Sequence, residues 1–293
     1  MADVASGFRC PICRSTDAES WLTLSYPIAR CGGCGLLRLH PPPDDATLAA
    51  AYAEGYAPHI RTGISGRAKS WLERRSVRQL QHYLAPPRRV LDVGCATGEL
   101  LLAVREAGNA HIVGVEPGAD AAATARQQGL DVRVGTLEDA AFTDRSVDTI
   151  IASHTLEHVP EPVETLREMH RVLRPGGALI LWLPNVESVE ARVLGRRWIG
   201  YDPPRHLTTF GVSTLNHALT EAGFRMVEVR HEAVGLEWAW GFRRWLRERR
   251  PALEHAIAPA HPLLIVAATP LAAIGALSRR SGRIRVIAVK PVD

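Results

Sequence analysis

The chain has 293 residues, 46% of them apolar, which is enough for one large domain with smaller appendages. Its 35 basic and 31 acidic side chains leave a net charge of +4, too small by itself to indicate a nucleic-acid-binding surface. The first ten residues contain no apolar stretch of the signal-peptide type, so a cytoplasmic protein is the expectation.

Four of the five cysteines lie in the first 34 residues, as two C-x2-C pairs: Cys10 with Cys13, and Cys31 with Cys34. Two short turns that each supply two thiolates are typical of a tetrahedral zinc site, whereas a redox-active C-x-x-C is expected as a single pair. Because four protein ligands leave no open coordination position, we predict a zinc-binding module over 1–40 with a structural role.

A helical linker is predicted over 41–87. Prolines follow the cysteine module, and Asp44 or Asp45 is placed to cap a short helix over 46–53. Residues 66–84 have the pattern of a basic amphipathic helix that ends before Pro86 and Pro87.

From residue 88 onward, apolar strands alternate with helices. Strands are predicted at 89–93, 112–116, 131–134, 149–153, 178–183, 224–229 and 284–289, with helices near 99–107, 118–128 and 162–173. This alternation predicts an α/β domain with an open, mostly parallel sheet that is covered on both faces. Residues 231–282 separate the last two strands and are predicted to form a helical cap.

The turn after the first of these strands is the candidate ligand site, because open α/β sheets bind ligands at the carboxyl ends of their strands. Gly94 and Gly98 frame this turn, but Ala96 stands where a pyrophosphate-binding turn carries its middle glycine. Asp92 would repel a pyrophosphate, and Glu116 ends the second strand, where a carboxylate accepts hydrogen bonds from ribose hydroxyls. An adenosine that carries cationic groups, S-adenosylmethionine, is therefore the predicted ligand.

Four segments carry a family resemblance: VLDVGCATGELL, VGVEPG, SVDTIIASHTLEHVPEP and LRPGGALILWLPN. Together they resemble the class I S-adenosylmethionine-dependent methyltransferases, most of all the branch with ubiquinone-type and small-molecule enzymes. The segment YDPPRHLTTFG and the cysteine module further resemble a bacterial subgroup that includes nucleotide-sugar C-methyltransferases with a zinc-binding front end.

The resemblance implies a doubly wound, seven-stranded Rossmann-like sheet over 88–230 and 283–293, with strand order 3-2-1-4-5-7-6 and an antiparallel seventh strand. It implies a cofactor site in which the 94–98 turn lines the methionine moiety, Glu116 holds the ribose and the 136–138 turn flanks the adenine. The predicted cofactor residues are Asp92, Gly94, Ala96, Gly98, Glu116, Pro117, Thr136, Leu137, Glu138, Ser153 and His154.

Candidate catalytic groups follow the fourth strand. His154, Glu157 and His158 lie at i, i+3 and i+4, so a helical turn would place all three on one face toward the site. In the related ubiquinone O-methyltransferases a Glu and a later Glu-His pair are linked to a divalent metal; Glu157 and His158 match that pair, but His154 stands in place of the first Glu. A second metal at Glu157 and His158 is thus one interpretation. The favoured one is metal-free, with Glu157 paired locally and His158 packed under the cofactor.

A second candidate segment, RRWIGYDPPRHLTTFG, follows the fifth strand and is predicted to form a substrate lid. Trp198 and Tyr201 would supply apolar walls, and Arg205 would hold a carboxylate or phosphate. His206 is the leading general-base candidate, ahead of His158 and His154, because imidazole titrates near neutral pH. The alternative is an ion pair of Asp202 with Arg205, and a His206 that caps the following helix.

The predicted cap combines aromatic and arginine side chains, in LEWAWGFRRWLRERR, with an apolar run at 262–277. That run is shorter than the roughly 20 residues that a membrane-spanning helix needs, which predicts a buried or an interfacial helix. Peripheral contact of 238–277 with a membrane or with a lipid-linked acceptor is one interpretation. The favoured one is an amphipathic helix that packs on the sheet and keeps a solvated basic face.

The sequence therefore predicts a methyltransferase that uses S-adenosylmethionine and acts at an oxygen or carbon of a small-molecule or lipid- or sugar-linked metabolite. One alternative is an RNA methyltransferase that recognises its substrate through the zinc module, which the weak net charge disfavours. Another is a non-catalytic protein that binds the cofactor. A nicotinamide-dependent dehydrogenase is disfavoured by Ala96 and Asp92.

Overall fold

The centre of the fold is a seven-stranded sheet, seen in a computed structural model that describes residues 6–53 and 73–292. Strands are numbered in chain order, and this sheet contains β4 (Val90–Val93), β5 (Ile112–Glu116), β6 (Val132–Val134), β7 (Val147–Ser153), β8 (Leu173–Pro184), β10 (Arg225–His231) and β11 (Arg283–Val289). Their order is β10-β11-β8-β7-β4-β5-β6, and β11 runs antiparallel to both of its neighbours. Counted within this sheet the order is 3-2-1-4-5-7-6, so the predicted topology is confirmed.

The central strands are buried on both faces, which explains why the sequence shows them as continuous apolar runs. All four residues of β4 are buried, as are the last eight of β8. Helices Glu99–Glu106, Ala119–Gln127, Pro162–Val172 and Val212–Glu221 cover the two faces. Helix Pro162–Val172 begins with a proline in its first turn and buries Val163, Leu166 and Met169 at helical spacing. The three predicted helices agree with the observed ones to within one residue at each end.

The predicted linker is helical where the structure describes it. Helix Asp45–Ala53 begins after Asp44, whose side-chain oxygen accepts a hydrogen bond from the Thr47 amide at 2.8 Å. Residues 73–79 are helical and helix Gln81–Leu84 follows them. The first part of the helix predicted at 66–84 lies outside the described residues.

A second, four-stranded sheet connects the cysteine module to the predicted lid. Its strands are β1 (Ala18–Thr23), β2 (Pro27–Cys31), β3 (Leu37–Leu39) and β9 (Thr208–Thr209), in the order β1-β2-β3-β9. The Leu39 amide also donates to the Leu207 carbonyl at 2.9 Å. The module predicted at 1–40 therefore shares a sheet with the segment that follows His206.

The residues between β10 and β11 are helical, in helices Leu236–Arg249, Pro251–Ile257 and His261–Leu277. Within the described ranges, the stretch Pro251–Leu277 is long and apolar enough to cross a membrane by length and composition alone. In helix His261–Leu277 only Ala272 and Gly275 are buried. A buried helix at 262–277, one of the two predicted forms of this run, is therefore wrong.

Candidate functional site

Backbone hydrogen bonds bring the predicted cofactor segments together at one edge of the main sheet. The amides of Gly94 and Cys95 donate to the Val115 carbonyl at 2.8 and 3.1 Å, which ties the turn after β4 to β5. The Gly135 amide donates to the Glu116 carbonyl at 3.1 Å, so the loop after β6 lies beside the end of β5. The turn, Glu116 and the 135–139 loop thus form one continuous surface.

The turn after β4 has three residues in the left-handed backbone region. Gly94, Ala96 and Gly98 have φ values of 75°, 48° and 82°. A Cβ atom on Gly94 would lie 2.6 Å from the Thr155 hydroxyl oxygen, so this position admits only glycine. Ala96 pays for the same conformation with about 1–3 kcal/mol of strain, a cost that is typical of functional sites.

Glu116 holds this turn through its carboxylate. One oxygen accepts a hydrogen bond from the Ala96 amide at 2.8 Å, and the other accepts one from the Gly118 amide at 2.8 Å, across Pro117. A carboxylate oxygen has two acceptor positions, so each can take a further hydrogen bond from a hydroxyl group. The predicted role of Glu116 toward a ribose is compatible with this geometry.

Asp92 lies buried below the turn. Its Oδ1 atom has no hydrogen-bond partner within residues 6–53 and 73–292. Burial raises the pKa of Asp92 to about 8, helped by the negative charges of Glu73 and Glu116. A cationic group beside this carboxyl would supply both a partner and a counter-charge, so the site fits a positively charged ligand.

The loop after β6 is held by a residue that the sequence analysis missed. The amide and hydroxyl of Thr136 donate to one carboxylate oxygen of Asp139 at 2.9 and 2.8 Å. The hydrogen bonds from the Thr136 backbone and side chain lower the pKa of Asp139. Within the turn predicted to flank the adenine, the Leu137 side chain is buried in the main core, whereas Thr136 and Glu138 are exposed. The T-x-x-D spacing, typical of a side-chain-stabilised turn, was the available signal.

The predicted helical alignment of His154, Glu157 and His158 is wrong. His154 has a left-handed φ of 54°, and its amide donates to the Trp182 carbonyl at 2.8 Å, directly after Ser153 ends β7. Only Leu156–His158 form a single 3-10 turn. The left-handed conformation of His154 changes the direction of the chain before that turn. Helix propensity gives no indication that a histidine will adopt this conformation.

Glu157 nevertheless contacts His154. One Glu157 oxygen lies 3.1 Å from His154 Nδ1, while the other has no partner among the described residues. Burial raises the pKa of Glu157, but the His154 hydrogen bond and the charges of three nearby histidines outweigh it and lower the value to about 2. The carboxylate is therefore ionised and fully buried, and it pairs with a histidine side chain that is 36% exposed.

His158 and His206 approach Glu157 from the other side. Their rings lie edge to face with centroids 4.7 Å apart. Nδ1 of His206 donates to the Gly200 carbonyl at 2.8 Å. Burial, followed by the charge of His206, lowers the pKa of His158 to about 4. One oxygen of Glu157 and one nitrogen of each of these two rings lie within 4.8 Å of one another.

A tyrosine from the linker helix completes this cluster. The Tyr52 hydroxyl lies 2.9 Å from His158 Nδ1, which also lies 3.0 Å from the Arg205 carbonyl oxygen. In a neutral ring Nδ1 therefore carries the proton. Tyr52 and His158 are 106 residues apart, so the local sequence around either residue could not predict their contact.

Trp198 and Tyr201 do not line a pocket as predicted. Trp198 is 0% exposed and Tyr201 is also buried, in an apolar cluster with Ile28 and Leu37 of the four-stranded sheet. The indole nitrogen of Trp21 donates to the Tyr201 hydroxyl at 3.3 Å. Trp198 and Tyr201 therefore attach the lid to the cysteine module. The sequence of the lid alone could not reveal these contacts with a distant part of the chain.

Arg205 forms the ion pair that the sequence analysis held as the alternative to binding an anion. Its guanidinium donates to both carboxylate oxygens of Asp202 at 2.8–2.9 Å. The other half of that alternative, a helix cap by His206, is wrong. The Val212 amide at the start of the next helix donates to Glu187 at 3.0 Å instead.

The four predicted zinc ligands come together. Sγ of Cys10 and Cys34 lie 3.5 Å apart, as do those of Cys13 and Cys31, and all four sulfurs lie within 4.8 Å of one another. Tetrahedral zinc with a Zn–S distance of about 2.3 Å separates its ligands by roughly 3.8 Å. The donor set and its spacing therefore fit a zinc ion.

Comparison with known proteins gives consistent matches. A family profile described as a methyltransferase domain matches residues 65–229, more than half of the chain. The chain is 38% identical over 101 residues to the ubiquinone biosynthesis O-methyltransferase of Hahella chejuensis, which covers 32% of this chain and 42% of the relative. It is 33% identical over 170 residues to the tRNA U34 carboxymethyltransferase of Methylococcus capsulatus, covering 52% and 50%. The chain thus spans about half the length of these curated relatives, or less.

Solved structures share the fold. The [4+2]-cyclase SpnF has a TM-score of 0.51 at 26% identity and covers 75% of this chain and 81% of its own. An S-adenosylmethionine-dependent methyltransferase from Archaeoglobus fulgidus has a TM-score of 0.52 at 21% identity, covering 75% and 94%. The second likeness concerns the fold alone.

Proposed function

Since the chain belongs to the methyltransferase-domain family, we propose that it is an S-adenosylmethionine-dependent methyltransferase. Its acceptor is an oxygen or carbon of a small-molecule or lipid-linked metabolite, and His154 is the general base. The observation that carries the proposal is the contact of the partly exposed His154 ring with the buried, ionised Glu157. The tRNA enzyme among the relatives offers a nucleic-acid alternative, which the net charge of +4 disfavours.

The turn over 94–98 is where we place the cofactor. The Asp92 carboxyl, an orphaned buried acceptor, would face its cationic end, and Glu116 would accept hydrogen bonds from the ribose hydroxyls. Thr136 and Glu138 would flank the adenine. Once bound, S-adenosylmethionine supplies a methyl group that its sulfonium has already activated.

The chain's own residues position the acceptor and handle its proton. With Nδ1 of His154 donating to Glu157, its Nε2 carries the lone pair and can accept a proton from an acceptor hydroxyl or carbon acid. The ionised Glu157 keeps the ring in this tautomer and stabilises the imidazolium that forms, as the carboxylate of a catalytic triad does. His206 and His158 lie behind the same carboxylate and contribute to the position of the lid.

The test supplies the purified protein with methyl-deuterated S-adenosylmethionine and a cell extract divided into metabolite, lipid and RNA fractions. We expect a labelled product in a small-molecule or lipid fraction, identified by the mass shift of its methyl group. Label found only in RNA would contradict the proposed acceptor class. Cofactor binding without labelled product in any fraction would favour a non-catalytic protein.

Glu116→Ala should weaken S-adenosylmethionine binding by about 1–3 kcal/mol, because a charged hydrogen-bond acceptor is lost. Calorimetry measures this as a rise in Kd of roughly 5- to 150-fold. Glu164→Ala removes an exposed carboxylate from helix Pro162–Val172 and is the matched control. An unchanged Kd for Glu116→Ala would remove Glu116 from the ribose site.

Asp92→Asn should abolish a proton release that accompanies cofactor binding near pH 7. The Asp92 pKa of about 8 keeps the carboxyl largely protonated in the free protein, and a bound cation lowers that pKa. The buffer dependence of the calorimetric binding enthalpy reports the released protons. Equal proton release by the wild type and by Asp92→Asn would contradict the assignment.

The same substitution should change how the stability of the free protein depends on pH. The folded-state pKa of Asp92 lies above its unfolded value, so the wild type loses stability as pH rises from about 4 to 8, by up to about 1.4 kcal/mol per pH unit. Asp92→Asn does not titrate, and its advantage in melting temperature should grow over this range.

We propose a zinc ion at Cys10, Cys13, Cys31 and Cys34, supported by the spacing of their sulfur atoms. Four thiolates would satisfy the ion without an open position, so its role there is to hold the two turns together. Elemental analysis of the purified protein should find one zinc per chain.

A second candidate is a metal site within the catalytic cluster. It is supported by the approach of Glu157, His158 and His206 to one another. A carboxylate and two imidazoles are ligands that zinc, iron or manganese accept, and they would leave positions open for an acceptor oxygen. One metal per chain by elemental analysis, lost in a four-cysteine variant, would speak against it. A second equivalent that disappears in Glu157→Ala would establish it.

A further inference from the structure

Helix His261–Leu277 exposes an apolar face that neither the cofactor site nor the zinc module uses. Leu263, Val266 and Leu277 are 72%, 70% and 86% exposed. With Leu271 and Ile274 they recur at spacings of three and five residues, and so form one stripe along the helix. Scattered exposed apolar residues are common on soluble proteins, but a continuous stripe of this length marks an interaction surface.

The orientation of this stripe is fixed by the opposite face of the helix. A Cβ atom on Gly235 would lie 2.2 Å from the Ile265 carbonyl oxygen, so the helix backbone packs directly on the start of helix Leu236–Arg249. Ala272 and Gly275 are buried on the same side. The stripe therefore cannot turn inward without breaking this packing.

A groove beside the stripe adds aromatic surface. It has a volume of about 470 Å³ and lies between helices Leu236–Arg249 and His261–Leu277. Trp238, Phe242 and Trp245 line it, and the rings of Phe242 and Trp245 are stacked with centroids 5.9 Å apart. Tryptophan and phenylalanine beside a leucine-rich face are typical of segments that lie at the boundary of headgroups and acyl chains.

Positive charge borders this apolar surface. Residues 231–282 contain seven arginines against four glutamates. Exposed arginines lie at the ends of both helices and on the adjoining helix Val189–Leu194 and its following turn: Arg192, Arg196, Arg249, Arg250, Arg279 and Arg280. The Arg249 guanidinium lies 5.3 Å from the ring centre of Trp245, so charge and aromatic surface are in contact. Such a border is complementary to anionic lipid headgroups.

We propose that this surface, formed by helix His261–Leu277 and the aromatic groove, docks on an anionic lipid bilayer with the helix in the membrane plane. A spanning helix is disfavoured because β10 and β11, which flank the cap, pair side by side from His231 and Ile284. Helix His261–Leu277 alone extends about 26 Å, less than the roughly 30 Å hydrocarbon core. The longer stretch Pro251–Leu277 reaches spanning length only by including Glu254, which is ion-paired with Arg243 and Arg247. The helix packed beside it, Leu236–Arg249, carries four arginines, which oppose insertion of the pair.

The test measures flotation of the full-length protein with vesicles of phosphatidylcholine alone and with about 30% phosphatidylglycerol. We expect binding to the anionic vesicles that weakens with salt, and much less binding to neutral ones. The double variant Leu263→Glu with Val266→Glu should reduce binding by more than about tenfold. Val292→Glu changes a residue of similar exposure near the chain end and should bind like the wild type.

Three results would overturn the proposal: no binding to either vesicle, equal binding by the double variant, or self-association through the stripe without lipid binding. The last would appear in sedimentation as a dimer that the double variant dissociates. S-adenosylhomocysteine affinity, measured on each variant, verifies that the fold is intact. None of these measurements depends on methyl transfer. The test of lipid binding therefore remains valid even if the proposed function is wrong.

Discussion

His154→Ala should lower kcat by about 10²–10⁴-fold while the affinity for S-adenosylmethionine stays within about twofold. The substitution removes the ring that we propose faces the acceptor but leaves β4, β5 and the 94–98 turn intact. Glu157→Gln should give a smaller loss, because the neutral amide still contacts the ring but no longer stabilises an imidazolium. Steady-state kinetics with the labelled product, together with calorimetry, separates the two effects.

His206→Ala is the matched comparison, since it removes a second imidazole from the same carboxylate. We expect its kcat to fall less than that of His154→Ala, because His206 Nδ1 is already bonded to the Gly200 carbonyl and its ring packs on His158. The reverse order would make His206 the base, as the sequence suggested. Normal turnover in both variants would show that neither histidine is the general base.

The pH range for this comparison follows from Glu157. Its pKa of about 2 lies below the value of an unfolded glutamate, so the stability it contributes is fully present above about pH 4.5. That contribution is lost as pH falls from there toward 2. Between pH 6 and 9 this contribution is constant, and the titration of Asp92 near pH 8 is common to the wild type and both histidine variants. Rate differences between these proteins in that range therefore report the substituted histidines.

The sheet and the cofactor turn could be predicted because their signals are local. Buried parallel strands show as apolar runs, and the turn shows as glycines at fixed distance from Asp92. The position of Glu116 follows from the same register, since it ends the next strand. Each of these inferences needs only about thirty residues of sequence.

The lid could not be predicted in the same way, because contacts across the whole chain decide its structure. Trp198 and Tyr201 look like pocket walls when the lid is considered alone, yet β9 pairs with β3 and draws both rings into the cysteine module. Tyr52 reaches His158 for the same reason, from a helix in the linker. Hydrophobic periodicity in the sequence does not predict contacts between residues that lie so far apart in the chain.

Removing zinc should therefore cost turnover as well as stability. The sulfur atoms of the four cysteines hold the Cys10–Cys13 turn, which precedes β1, against the Cys31–Cys34 turn, which joins β2 to β3. Strand β3 in turn pairs with the lid strand that follows His206. Structural zinc contributes about 10–16 kcal/mol in small zinc-finger peptides, so the module should lose its order when the ion leaves. A lid displaced by about 1 Å can lower the rate roughly 10²-fold, and we expect at least that loss.

Chelation and Cys31→Ser are the two ways to remove the ion, and elemental analysis verifies its loss. Proteolysis should then cut between 18 and 39, and the tryptophan emission should shift to the red as Trp198, which is 0% exposed in the folded protein, becomes exposed. S-adenosylhomocysteine affinity should stay within about threefold, because β4, β5 and β7 hold the turn over 94–98 through their own ladder. Restoring zinc after chelation should reverse every change. A zinc-free protein with full turnover would show that the lid stands without the module, and an equal loss of cofactor affinity would extend the role of zinc to the whole domain.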